Sequence, residues 1–227
     1  MITTPLNLRA VNLTESQYIE RGFEVVHRSV ECKIKRAIDI IGALVGLGIA
    51  IAIALPIAIA IQFDNPGPLL YSQMRCGVNG KPFRIWKFRS MIVGAERNKH
   101  LIKNEAQGFI FKNNNDPRVT RVGRFLRRTS LDEFPQFWNV LKGEMSLVGT
   151  RPPTPDEVVS YGSYHWKRLR VKPGLTGEWQ TRGRSSVKNF DEIVSMDLDY
   201  QLCWSILYDL QLIWKTIHVV LARRGAC

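Results

Sequence analysis

One segment of the chain differs from all the others in its pattern. Ile40 to Ile61 reads IIGALVGLGIAIAIALPIAIAI, without a charged or polar side chain. About 20 apolar residues suffice to cross a bilayer as a helix, so this run predicts a membrane-embedded helix. Basic residues flank it on both sides: Lys33, Lys35 and Arg36 before it, and Arg75, Lys81, Arg84, Lys87 and Arg89 after it. Cytoplasmic flanks favour Lys and Arg. A re-entrant hairpin, with both ends on one face of the membrane, satisfies both flanks. Pro56 is the candidate membrane break, because it removes a backbone donor and clashes with the preceding turn. Ile40 to Leu55 then reach about 24 Å at the helical rise, short of the ~30 Å hydrocarbon core. A bend in lipid needs partners for its freed carbonyls, and Leu55 and Ile57 offer none. A spanning helix therefore stays open as the alternative.

Outside this run the patterns are shorter. Thr14-Glu15-Ser16-Gln17 resembles a capping box, and Tyr18, Val25, Val26 and Val30 can share one face of a short helix. Asp64-Asn65-Pro66-Gly67-Pro68 is a turn cluster that marks the exit from the apolar run. Leu69 to Arg75 and Pro82 to Phe88 read as two strands of a hairpin, with Asn79-Gly80 as the turn signal. Ala95 to Arg118 is polar and reads as a helix followed by a loop. Leu131, Phe134, Trp138 and Leu141 give Val119 to Lys142 a helical period. Lys172 to Ser186 is punctuated by glycine. Leu198 to Leu221 repeats apolar residues over one long helix, and its Tyr200, Trp204, Tyr208 and Trp214 suit either a membrane interface or a core. The expectation is a helix-rich α+β fold with a small β-hairpin and amphipathic interfacial helices around a basic site. It divides into an N-terminal segment (1–32), a membrane-embedded helix (33–63) and a cytoplasmic domain (64–227).

Composition narrows the chemistry. The 227 residues carry 32 Lys+Arg against 20 Asp+Glu, a formal charge of +12. Such an excess favours nucleic acid, anionic lipid or phosphorylated substrates without choosing among them. Four scattered cysteines without C-x-x-C, and four histidines without H-E-x-x-H, argue against a zinc site or a disulfide framework. Met1 to Ala10 does not resemble a signal peptide.

Against this basic background, two adjacent carboxylates stand out. Asp132 and Glu133 follow Arg124, Arg127 and Arg128 and precede Arg151. A carboxylate that must approach a phosphate needs cations between the two anions. Ser130-Leu131-Asp132-Glu133 also fits a capping box, the plainer reading of the same residues. Pro135 weakens that reading, because a helix starting at Ser130 needs an amide there. Between Arg75 and Arg128 the only acids are Glu96, Glu105 and Asp116, so bases from several elements are set to converge on one pocket.

Taken in order, Lys35-Arg36-x-x-Asp39, an apolar run with a proline, GPLLYSQMRCGVNGKPFRIWKFRSM, LRRTSLDEFPQFWNVLKGEMSLVGTRP and KPGLTGEWQTRGR resemble the bacterial sugar transferases. These are monotopic polyprenyl-phosphate phosphoglycosyl transferases, which start exopolysaccharide, capsule and glycan assembly. The resemblance covers about Lys33 to Cys227. It implies a catalytic domain on the cytoplasmic face of the bacterial inner membrane. Asp132 would be the nucleophile on a UDP-sugar, UMP would leave, and undecaprenyl phosphate would accept the phosphosugar. Glu133 would help hold Mg2+, and Arg127 would contact phosphate. Lys87, Arg89, Arg151 and Arg184 are further candidate substrate-binding residues. Leu55-Pro56 stands where short members of the family have Ser-Pro. Membrane phospholipid is an implied partner and nucleic acid is not, while the sugar and the oligomeric state, a homo-oligomer included, stay open. The rival class is a membrane-anchored basic module that binds nucleic acid or anionic lipid, although no helix-turn-helix, zinc finger or RNP-like motif is present.

Overall fold

The computed structural model describes residues 26–111, 113, 115–183, 187 and 189–221. Most of the N-terminal helix expected from Tyr18 to Val30 lies outside them; within them Arg28–Glu31 forms one helical turn. The apolar run forms the centre of helix α1 (Lys33–Asp64), about 48 Å long at the helical rise. Lys35, Asp39, Ala43, Gly46, Ala50, Ile57 and Ile61 are its buried residues, and their spacing traces one stripe. Gly46 keeps that stripe shallow: a Cβ there would fall 2.5 Å from the Phe137 ring. Ile41, Leu44, Val45, Ile51, Leu55 and Phe63 are exposed, an apolar surface far beyond scattered surface hydrophobics.

α1 runs on through Pro56 instead of ending there. Ile53, Ala54, Ile57 and Ile61, on both sides of the proline, pack into one cluster with Phe88 and Leu126. Polar bonds fix both ends of the helix to the rest of the chain. At the start, Lys35 Nζ donates to Asp209 Oδ2 at 2.6 Å and to the Val148 carbonyl at 3.0 Å. Asp39 Oδ1 accepts from Ser146 Oγ and the Leu147 amide, at 2.9 and 2.8 Å. At the other end, Asp64 Oδ2 accepts from the Val122 amide at 2.8 Å.

The chain then turns into the expected hairpin, β1 (Leu70–Cys76) antiparallel to β2 (Pro82–Phe88), with Tyr71 opposite Lys87. Asn79 and Gly80 take positive φ, at 51° and 73°. Ala95–Leu101 is a short 3-10 segment rather than a full helix. The helical pattern of Val119 to Lys142 resolves into three pieces: α2 (Arg121–Arg128), a 3-10 turn (Leu131–Gln136) and α3 (Phe137–Lys142). The interruption falls at Ser130, with φ of 56°, and Pro135 denies the following turn an α-helical amide.

Two short strands then pair in parallel, β3 (Ser146–Val148) with β4 (Gly174–Thr176). Helix α4 (Pro155–Val159), closed by a Thr154–Glu157 capping box, lies between them in sequence. The expected single helix over Leu198 to Leu221 is two: α5 (Phe190–Cys203) and α6 (Ile206–Leu221). Asp209, near the start of α6, explains the break. Its carboxylate accepts from Trp204 Nε1 at 3.0 Å and Tyr200 Oη at 2.8 Å, so the chain folds back over the pair that fixes Lys35.

The burial of Lys35 and Asp209 gives a first prediction. Lys35→Met should lower the unfolding free energy by about 3 kcal/mol, since it leaves a buried carboxylate without its cation. Lys35→Met combined with Asp209→Asn should recover part of that loss. Chemical denaturation of the detergent-solubilised protein measures both.

Candidate active site

Strand residues two apart share a face. Tyr71, Gln73 and Arg75 of β1, with Ile85 and Lys87 of β2, line one wall of a cavity of about 580 Å³. The turn after Ser130 supplies Asp132 and Glu133, α2 supplies Arg127, and the chain beyond β3 supplies Arg151. The candidate residues Asp132, Glu133, Arg127, Lys87, Arg89 and Arg151 thus all reach one cavity, although they are far apart in sequence.

The carboxylate pair does not act as a cap. Ser130 is left-handed and makes no side-chain capping bond. Glu133 Oε1 instead accepts from Lys87 Nζ at 2.8 Å, across from the hairpin. Asp132 is only 6 % exposed. Arg127 donates from Nε to Ser90 Oγ at 2.9 Å. Burial pushes the Arg127 guanidinium below its ordinary value, and the nearby Asp132 and Asp116 act against that shift. Gly123 makes this placement possible, since a Cβ there would sit 1.9 Å from the Ser90 carbonyl oxygen. Only glycine lets α2 approach the end of β2 closely enough for Arg127 to reach Ser90.

A second cationic group lies farther along β1. Arg75 donates to Gln73 Oε1 and to the Pro152 carbonyl. Burial and the neighbouring Arg151 push it down to about 10. Arg151 pairs with Glu157 at 3.1 Å. Although burial raises Glu157, the Arg151 charge and hydrogen bonds hold its carboxyl below the usual range. On a third side, Arg118 and Asp116 form a buried pair at 2.6 Å.

Arg89 lines the cavity but directs its guanidinium away from it. It donates to the Pro68 carbonyl at 2.6 Å and to Asn65 through Oδ1 and the backbone oxygen, at 2.7 and 2.5 Å. These bonds tie β2 to the end of α1. Pro56 lies on α1, away from the cavity lining, and Arg184 falls outside the described residues. The sequence reading did not assign Tyr71, Gln73, Arg75, Glu96 or Glu157 to the site. The alternation of β1 was the available signal for the first three. Among the described residues, no group of three or more His, Cys, Asp or Glu could hold a metal ion. Asp132 and Glu133 are adjacent in sequence and both line the cavity, and one or two carboxylates are the usual protein ligands of Mg2+.

The family model described as bacterial sugar transferase matches residues 30–223. The galactosyl transferase CpsE of Streptococcus agalactiae serotype III is 50% identical over 194 residues, which cover 85% of this chain and 43% of the relative. The undecaprenyl-phosphate galactose phosphotransferase of Salmonella typhimurium is 42% identical, over 85% of this chain and 41% of its own length. The exopolysaccharide production protein ExoY of Sinorhizobium fredii is 38% identical, over 85% of this chain and 87% of its own. The chain therefore spans less than half of the first two relatives and most of the third.

Gly123→Ala is expected to push α2 off the end of β2 and cost about 1–3 kcal/mol of stability through overpacking. Ser90→Ala, which removes only the hydroxyl bonded to Arg127, should cost about 1 kcal/mol. Thermal melts of the two variants side by side test whether this close approach is a packing constraint.

Proposed function

This chain belongs to the bacterial sugar transferase family, and on that premise we propose that it moves a sugar 1-phosphate from a UDP-sugar to undecaprenyl phosphate. The observation that carries the proposal is the site itself: a buried carboxylate, Asp132, set beside Arg127 and the Lys87–Glu133 pair in one cavity, on a turn that packs against the apolar helix. In the first step an Asp132 oxygen attacks the phosphorus that bears the sugar. The bridging P–O bond breaks, UMP leaves, and an aspartyl phosphosugar ester forms. In the second step an oxygen of undecaprenyl phosphate attacks the same phosphorus, giving a lipid-linked diphosphate sugar and freeing the Asp132 carboxylate. A covalent carboxylate splits a difficult exchange between two anions into two displacements.

Arg127 and Lys87 supply the cations that such an approach requires. A guanidinium can hold two phosphate oxygens at once. Lys87 donates to Glu133, and its ammonium has further protons that a phosphate would accept. Glu133, with Asp132 beside it, is the residue suited to hold Mg2+, which when bound would neutralise charge on the diphosphate. The names of two relatives carry galactose, which makes UDP-galactose the first donor to assay.

The reading places α1 in the cytoplasmic membrane as a re-entrant segment, with the domain on the cytoplasmic face. Supporting it, Asp39 near one end and Asp64 at the other bond to the same domain. An upright spanning helix would hold its ends on opposite sides of a ~30 Å core. Leu207, Leu210, Trp214 and Ile217 form an exposed apolar face on α6, which suits a helix lying in the interface.

Asp132→Asn, assayed with undecaprenyl phosphate and a panel of UDP-sugars, should lower UMP release by on the order of 10³-fold or more while membrane insertion persists. Turnover at the wild-type rate would remove Asp132 from the nucleophile role. Activity should disappear on chelation and return with added Mg2+. For topology, Glu31→Cys and Arg97→Cys, placed in a background without native cysteines, should be labelled from the same side of the membrane. Labelling from opposite sides would make α1 a spanning helix.

A further inference from the structure

Within the proposed transferase site, one cluster is not needed for phosphate chemistry. Glu96 stands in the first turn of the 3-10 segment Ala95–Leu101, on the rim of a cavity otherwise rich in cations. A carboxylate there opposes phosphate binding, so its presence calls for another role. Among the described residues it forms no salt bridge: Arg118 pairs with Asp116, and Glu96 acts on Arg75 and Arg118 only through its charge.

The hydrogen bonds around Glu96 are directional. Arg75 holds Gln73 Oε1 through Nε and Nη2, at 3.1 and 2.7 Å. That fixes the amide so that Gln73 Nε2 donates to Glu96 Oε1 at 3.1 Å. Tyr71 Oη donates to the same oxygen at 2.5 Å. Both bonds converge on Oε1, and neither goes to Oε2. Burial and Glu96 together raise the Tyr71 hydroxyl, so it stays a protonated donor. The result is a neutral amide, a phenol and an oriented carboxylate, a set that accepts from and donates to hydroxyl groups and has little use for a phosphate.

Position decides which hydroxyls. Tyr71 is the cross-strand partner of Lys87, and Lys87 holds Glu133, the neighbour of the attacking Asp132. The cluster therefore adjoins the reacting end of the cavity. Arg75 lies four residues on, roughly 13 Å along the strand. In a sugar nucleotide, the hexose sits on the phosphorus that is attacked and the ribose on the one that leaves. We propose that Glu96, oriented by Tyr71 and Gln73, receives hydroxyls of the transferred sugar and sets which sugar is accepted. Glu96 is in this reading a specificity-determining residue, and Tyr71 and Gln73 position it. The assignment rests on the transferase reading above.

The test is equilibrium binding to the full chain in nanodiscs, by competition against a fluorescent UDP probe. UDP, UDP-galactose, UDP-glucose and UDP-N-acetylgalactosamine are compared in the wild type, Glu96→Gln and Tyr71→Phe. The wild type should prefer one UDP-sugar, and Glu96→Gln should shrink that preference by about 10- to 100-fold, the range of a hydrogen bond to a charged group. Affinity for UDP should stay within about two-fold. Tyr71→Phe keeps the ring and should reduce the preference in the same direction; it carries the comparison should Glu96→Gln fail to fold. An unchanged preference would make the cluster a strut between the hairpin and the Ala95 segment and overturn the proposal. So would a parallel loss of UDP and all UDP-sugars, or equal affinity of the wild type for every donor. A wild type that binds no UDP-sugar would overturn the transferase reading and this assignment with it. Sugar-selective binding that depends on Glu96 but yields no UMP would overturn only the transferase reading.

Discussion

A charge buried in a folded chain has to be answered by another, and here the requirement organises the whole molecule. Lys35 stands at the start of an apolar helix and is answered by Asp209, which also accepts from Tyr200 and Trp204. Asp39, one turn on, is satisfied by Ser146 and the backbone of Leu147. These bonds seat β3 against α1, and β3 leads directly into the chain that delivers Arg151. At the far end of the same helix, Asp64 holds the first turn of α2, the helix that carries Arg127. Both cationic walls of the cavity are thereby positioned from α1. The membrane-class segment is as much a mount for the site as an anchor.

The cavity obeys a related rule. Several of its cations carry an acid partner: Lys87 has Glu133, Arg118 has Asp116 and Arg151 has Glu157. An unmatched excess of charge in a half-buried space would be costly, and a cavity with none would exert no pull on anions. Arg75 shows the tension between the two, since burial and Arg151 both act to discharge it. Partial pairing resolves this by leaving the cavity cationic while several of its cations are bonded to carboxylates.

The sequence made the apolar helix, the hairpin and the carboxylate pair legible because each has a local signature: an uninterrupted run, a two-residue alternation with Asn79-Gly80, and a charge anomaly. It misjudged what depends on distant partners. The long helix over Leu198 to Leu221 has sound periodicity throughout, yet it breaks because the Asp209 carboxylate recruits Trp204. Ser130 to Glu133 left a capping box open as the plainer reading, and the acid turns instead to Lys87, 46 residues earlier in the chain. The β3–β4 pair escaped notice because three-residue strands carry too little pattern. Arg89 stood among the candidate substrate-binding residues, but its fork is used by Asn65 and Pro68, something only coordinates reveal. Pro56 lacks a helical amide, yet α1 is continuous through it and packs on both sides.

The bond between Lys35 and Asp209 joins residues 174 positions apart. A ribosome adds residues in order, so the amino end of the apolar helix emerges long before its counter-charge exists. During that interval Lys35 must stay in water or among lipid headgroups, because withdrawing it unpaired into an apolar setting is prohibitive. The helix can enter the bilayer early, but the domain can close over its first turn only once α6 has been made. Assembly is thus ordered by the chain itself: insertion before closure, with α6 serving as the latch.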